Sequence, residues 1–157
     1  MIPARQTDLA PGFEASTVSL QHRTDAYFAS RLARNLAASA GFDRTAEGEI
    51  GIVVMELASN VIEHAGGGEL RVRLVEDAGR GVGLEIIAFD QGPPFRDLSL
   101  ALRDGHDDRG PIAPEALVRR RGLGSGLGAV LRMTHTFQHE PTPRGKSIRV
   151  VRYRRWP

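Results

Sequence analysis

The sequence predicts a single domain of mixed α/β structure. Three observations carry this: a length of 157 residues with 41% hydrophobic composition, apolar periodicities that change between helix and strand along the chain, and two alternating runs separated by a short polar turn. A chain of this size buries one core and is short for two. Ala15 to Gln21 alternates as a strand does, and from about Asp25 to Ala40 apolar residues recur at helical spacing until Gly41 stops them. From about Thr45 to Ala65 a second helix carries the stripe Ile50, Val53, Val54, Leu57, Ala58, Val61 and Ile62, and Gly66-Gly67-Gly68 ends it. Leu70 to Val75 and Val82 to Phe89 are strands joined by a turn around Asp77 to Gly81, a hairpin pattern. Asp90 to Gly128 has two proline-bearing breaks and many glycines, which predicts a long mobile loop holding one short helical pattern near Leu98 to Leu102. A short helix from about Leu127 to Thr134 and two strands, His135 to His139 and Ser147 to Tyr153, close the chain.

Composition removes several classes of function. Without cysteine there is no disulfide framework and no thiolate zinc site, which suits a reducing compartment, and the cytoplasm is the expected location. No run approaches the roughly 18 apolar residues of a membrane span. Met1 to Pro11 has no apolar segment of the signal-peptide kind, so no membrane association is expected. Twenty-one basic residues stand against nineteen acidic ones, and the arginines are dispersed among acids, so no specific nucleic-acid footprint is implied. Two clusters, Arg119-Arg120-Arg121 and the tail Arg149, Arg152, Arg154, Arg155, could meet phosphate or an acidic partner, and solvated arginines are the simpler reading of the tail.

Glu56, Asn60 and His64 are spaced i, i+4, i+8 and stack as one polar strip beside the apolar stripe of the second helix. An asparagine oxygen is a hard ligand suited to Mg²⁺, and a carboxylate one turn away can serve as a general base; alone, the strip is also what any solvated helix flank looks like. Asp90-Gln91-Gly92 puts a carboxylate at a strand end, where it could accept from an exocyclic amine, beside a glycine that lets a flat ring approach; the same residues also make ordinary turns. Gly122, Leu123, Gly124, Ser125, Gly126, Leu127 and Gly128 alternate glycine with other residues and run into a helix, so backbone N–H groups could converge on phosphate oxygens. A dinucleotide fold fits this run poorly, because little chain follows Gly128. Gly145-Lys146-Ser147 is no P-loop either, because Glu140 stands at its first glycine and a strand follows it. His135 and His139 share a strand face, and a structural role outweighs a metal pair there; His106-Asp107-Asp108 is a solvated loop cluster.

Three boxes in order, Glu56-Leu57-Ala58-Ser59-Asn60-Val61-Ile62-Glu63-His64-Ala65, Asp90-Gln91-Gly92-Pro93-Pro94-Phe95 and Arg121-Gly122-Leu123-Gly124-Ser125-Gly126-Leu127-Gly128, resemble the N, G1 and G2 boxes of the GHKL ATPases. The chain is similar within that superfamily to the anti-sigma regulatory serine/threonine kinases of bacterial partner switching, of the RsbT and RsbW kinds, over roughly Glu14 to Tyr153. Asp97 to Gly105 and the glycine run lean towards the RsbT kind. The resemblance implies a Bergerat fold, an α+β two-layer sandwich with helices on one face of a mixed, mostly antiparallel sheet. Residues 1–13 would be an N-terminal extension, 14–157 one ATP-binding domain, and about 96–126 its mobile lid.

The same resemblance assigns roles. Asn60 matches the Mg²⁺-binding asparagine, Glu56 the acid that activates the attacking hydroxyl, Asp90 the adenine-reading aspartate and Gly92 its partner. His64 joins the nucleotide site, the glycines from Gly122 to Gly128 match the phosphate-wrapping lid, and Ser147 falls where the family has a threonine beside adenine. The implied ligands are ATP and Mg²⁺. The implied activity is phosphorylation of a serine or threonine on a STAS-domain antagonist protein, with a sigma factor or a PP2C-type phosphatase as further partners, and a homodimer is compatible with it. The alternative is a regulator that binds ATP without consuming it and works by sequestering a sigma factor or activating a phosphatase. Two departures stand out: Pro93-Pro94 replaces the usual G1 glycine, and an insert from Asp107 to Arg121 lengthens the lid. No dimerising helix with a phospho-acceptor histidine stands upstream, so a complete sensor histidine kinase is not expected.

Overall fold

The computed structural model describes residues 15–95, 98–103, 106–107, 110–111 and 126–155. The expected N-terminal extension and most of the expected lid, with Gly122 to Ser125, lie outside them. In chain order the elements are β1 (Ser16–Leu20), α1 (Arg23–Ser39), α2 (Arg44–Ala65), β2 (Gly68–Asp77), β3 (Gly81–Asp90), α3 (Leu98–Ala101), the short strands β4 (His106–Asp107) and β5 (Gly110–Pro111), α4 (Leu127–Met133), β6 (Thr136–Thr142) and β7 (Gly145–Tyr153). Five strands form one sheet in the order β1-β2-β3-β7-β6, and all four of its pairings are antiparallel, where the resemblance implied a mixed sheet.

Strand periodicity divides the sheet into two faces. Leu70, Val72 and Leu74 of β2, Leu84, Ile86 and Ala88 of β3, and Ile148 and Val150 of β7 point inward and form one core with Ala26, Ala29 and Ala33 of α1 and the apolar stripe of α2. Small residues on α1 let it lie close to α2. Arg71, Arg73, Glu85, Phe89 and Arg149 occupy the other register and face away from the helices. There Glu85, fully buried, is held between Arg73 Nε at 2.5 Å and Arg149 Nη2 at 2.5 Å.

Helix ends follow the local chemistry. Asp43 caps α2 by accepting from Ala46 N at 2.8 Å, and Gly66 ends it with φ +71°, the left-handed turn that glycine adopts without cost. Asp25 accepts from the backbone N–H groups of His22 and Gln21 at the start of α1, and those bonds hold its carboxyl below the usual range.

The arginines of the C-terminal segment are not simply solvated. Arg149 joins Glu85, Arg152 pairs with Glu49 and donates to Met133 O at 2.9 Å, and Arg154 donates to Ala40 O at 2.9 Å. Arg149 and Arg152 thus have carboxylate partners within the domain, while Arg154 and Arg155 remain exposed. Among the described residues no helix is long and apolar enough to cross a membrane.

His135, just before β6, accepts from Tyr153 N at Nδ1 (3.0 Å), which requires the neutral ring. Burial, and then the nearby Arg152 and Arg80 charges, lower its pKa from 6.5. The unfolded chain therefore takes up this proton first as pH falls, so the stabilisation is complete above about pH 6.5 and declines below it. The melting temperature of a His135→Gln variant should vary less than that of the wild type between about pH 7.5 and pH 5. Parallel slopes in thermal melts across that range would refute the assignment.

Candidate functional site

Burial of the apolar stripe sets the rotation of α2, and that rotation turns Glu56, Asn60 and His64 to one flank. They line a cleft with Ser59 and Glu63 from the same helix, Arg23 and Tyr27 from α1, and Gly126 and Leu127 from the start of α4. Glu56 is the buried member of the strip, Asn60 is half-buried and His64 is exposed, so burial decreases towards the helix C-terminus. Gly126, Leu127 and Gly128 are all buried, and Gly126 has φ +64° and ψ −147°, a conformation essentially confined to glycine. The end of the glycine run is thus placed against the polar strip. Among the described residues no three of His, Cys, Asp and Glu are grouped to hold a metal by themselves. A cation beside Asn60 would complete its shell with water and substrate oxygens, as Mg²⁺ does.

Asp90 is the last residue of β3 and shares the inward register of Ala88 and Ile86. Its Oδ1 accepts from Gly92 N at 2.9 Å, closing an Asx-type turn, and from Lys146 Nζ at 3.0 Å. Gly92 lies so close to the end of α2 that a Cβ on it would stand 2.7 Å from Ala65 Cβ, and this contact joins the strand end to the helix that carries the polar strip. Asp90 lines a second depression, past the last turn of α2, with Ala65, Gln91 and Lys146.

Ser147 requires a correction. In register it stands opposite Phe89 and Glu140, on the face of the sheet turned away from the helices, so its hydroxyl does not join Asp90. The inward position is taken by Lys146, directly opposite Asp90. Lys146 also donates to Pro93 O at 2.9 Å and lies 4.9 Å over the Phe95 ring. Sequence reasoning passed over it, although the signal was present: Lys146, Ile148 and Val150 alternate as one face of a strand, which makes the lysine an inward residue in need of an acidic partner.

Comparison with known proteins agrees with this architecture. The family described as histidine kinase-like ATPase domain matches residues 21–152. The chain belongs to this family. The serine/threonine-protein kinase RsbT of Bacillus subtilis is 32% identical to it over 143 residues, covering 90% of this chain and 98% of that one. Among solved structures, the SiaB-SiaC complex from Pseudomonas aeruginosa contains a chain that matches with a TM-score of 0.48 and 15% identity, over 88% of this chain and 89% of that one. The matched span takes in α2, the end of β3 and the start of α4, which the structure brings next to one another.

One glycine in this arrangement admits no side chain. A Cβ on Gly145 would stand 1.9 Å from Asp90 O and 2.7 Å from Gln91 Cα, both backbone atoms that can move only if the strand end moves. Gly145→Ala should displace the β3 end and destabilise the domain by about 2 kcal/mol or more, an overpacking cost. Urea unfolding reads this directly, and a variant with the wild-type midpoint would show that the strand end is not constrained.

Proposed function

We propose that the protein binds Mg·ATP and transfers the γ-phosphoryl group to a serine or threonine of a STAS-domain antagonist protein in a cytoplasmic partner-switching pathway. The observation that carries this reading is the cleft itself, in which Glu56 and Asn60, one helical turn apart, face the buried glycine start of α4. Its agreement with the RsbT kinase over nearly the whole of both chains supports the same reading.

The chemistry asked of these residues is mostly positioning and charge neutralisation. Asn60 would give the carboxamide oxygen to Mg²⁺, which draws charge from the phosphate oxygens. Glu56 would accept the hydroxyl proton as the partner's oxygen bonds to the γ-phosphorus and the bond to the β-phosphate oxygen breaks, leaving ADP. Gly126 and Leu127 would present N–H groups to phosphate oxygens together with the preceding glycines, His64 would border the nucleotide at the open end of the strip, and Asp90 would accept from the exocyclic amine of the base, with Gly92 holding its carboxylate in place.

A second reading keeps nucleotide binding and drops turnover, so that the protein acts by holding a sigma factor or activating a PP2C-type phosphatase. The observation behind it is the altered G1 segment, where Pro93 and Pro94 replace glycine and Pro93 O is tied to Lys146. The two readings part at Glu56. Under the kinase reading, Glu56→Ala keeps nucleotide affinity within a few-fold and lowers phosphotransfer by about 10² to 10⁴. Asn60→Ala lowers magnesium-dependent affinity by about tenfold or more in both. Calorimetry with Mg·ATP, together with phosphoprotein analysis of a STAS protein incubated with labelled ATP, checks these expectations. A wild-type protein that binds no adenine nucleotide would sink both readings, and one that binds but never labels a cognate partner would leave the second.

A further inference from the structure

The buried pair at the end of β3 and β7 has unused bonding capacity on both members. The Lys146 and Asp90 side chains are 4% and 5% exposed and sit directly across from one another in register. An ammonium group carries three donors. Two are taken by Asp90 Oδ1 and Pro93 O, and Phe95 covers one side of the cation. The third has no acceptor among the described residues. On Asp90 both bonds from described residues fall on Oδ1, which leaves Oδ2 as an acceptor. A donor and an acceptor therefore stand side by side at a depression next to Ala65, the residue that follows the polar strip on α2. Keeping a lysine ion this deeply buried is costly unless its remaining capacity is met, whereas a hydroxyl residue would fit the strand without that cost.

We propose that Lys146 is a specificity-determining residue for a 6-aminopurine nucleotide, donating to ring atom N1 while Asp90 accepts from the adjacent N6 amine. This rests on the nucleotide-binding reading above and extends it from one contact at the base to two. Adenine presents a donor at position 6 and an acceptor at position 1, the complement of a carboxylate beside an ammonium. A 6-oxopurine in the same pose reverses both, setting O6 against the carboxylate and N1–H against the ammonium, so that two buried polar groups are mismatched at once. The hydrogen bond between them makes the two groups one reading unit.

The test compares ADP with 1-deaza-ADP, in which C–H replaces N1, using calorimetry on the full chain with Mg²⁺. Wild-type protein should bind ADP tighter than 1-deaza-ADP by on the order of tenfold to a hundredfold, the worth of one hydrogen bond to a charged group. 3-Deaza-ADP, altered away from this edge, should bind like ADP. In Lys146→Met the ratio of ADP to 1-deaza-ADP should fall to about one. Equal binding of ADP and 1-deaza-ADP by the wild type overturns the proposal without any variant. So does a ratio that survives in Lys146→Met, or a Lys146→Met protein that binds ADP more tightly than the wild type, since the ammonium would then be a plug and not a reader. Lys146→Leu, which likewise carries no donor, repeats the measurement should the methionine variant fold poorly. A wild type that binds none of the three nucleotides overturns the nucleotide-binding reading as well, and so separates the two failures.

Discussion

The burial of one stripe of α2 against the sheet is the constraint on which the site depends. Ile50, Val53, Val54, Leu57 and Val61 are at most 1% exposed, and each such side chain contributes about 1.5 to 3 kcal/mol relative to an exposed one. Rotating the helix by even one residue position would bring several of them to solvent. No polar contact in the cleft is strong enough to compete with that loss. The direction of Glu56, Asn60 and His64 is therefore imposed by residues that take no part in any chemistry.

The sheet performs the same service at the other end. Because side chains alternate, Asp90 and Lys146 inherit the inward direction of Ala88, Ile86, Ile148 and Val150, and the antiparallel register sets them opposite one another. Gly92 and Gly145 allow the close approaches that hold this strand end against α2 and against β7. The outward register carries a different polar group, Glu85 between Arg73 and Arg149, which stabilises the far face and has no access to the cleft. A shift of one residue in the β3–β7 register would exchange these roles.

Much of this was legible in the chain. The seven main elements follow from periodicity and from glycine punctuation, as with Gly41 after α1 and Gly66 after α2, because local sequence dictates both. The strip Glu56, Asn60, His64 was legible for the same reason, since helical spacing alone puts the three on one flank. The inward direction of Lys146 was legible too, in its alternation with Ile148 and Val150, and was passed over; its pairing with Asp90 was not, since register is a long-range property. Pairing of the arginines was hidden for a similar reason: Arg152 meets Glu49 and Arg154 meets Ala40 across more than a hundred residues of sequence. Ile62, counted with the stripe, is only partly buried and marks where the helix turns away from the core.

The two ends of the proposed site rest on separate scaffolds. The residues proposed for phosphoryl transfer sit on a helix locked by core packing, while those proposed to meet the base sit at a strand terminus held by two glycine contacts and one ion pair. On the proposed reading, substitutions fall into two classes, those at the helix flank bearing on the phosphate and those at the strand end bearing on the base. Lys146 and the Pro93-Pro94 segment that it grips lie wholly in the second class. The carbonyl of Pro93 meets one donor of the Lys146 ammonium, and proline brings no N–H of its own that would need a partner beside the cation.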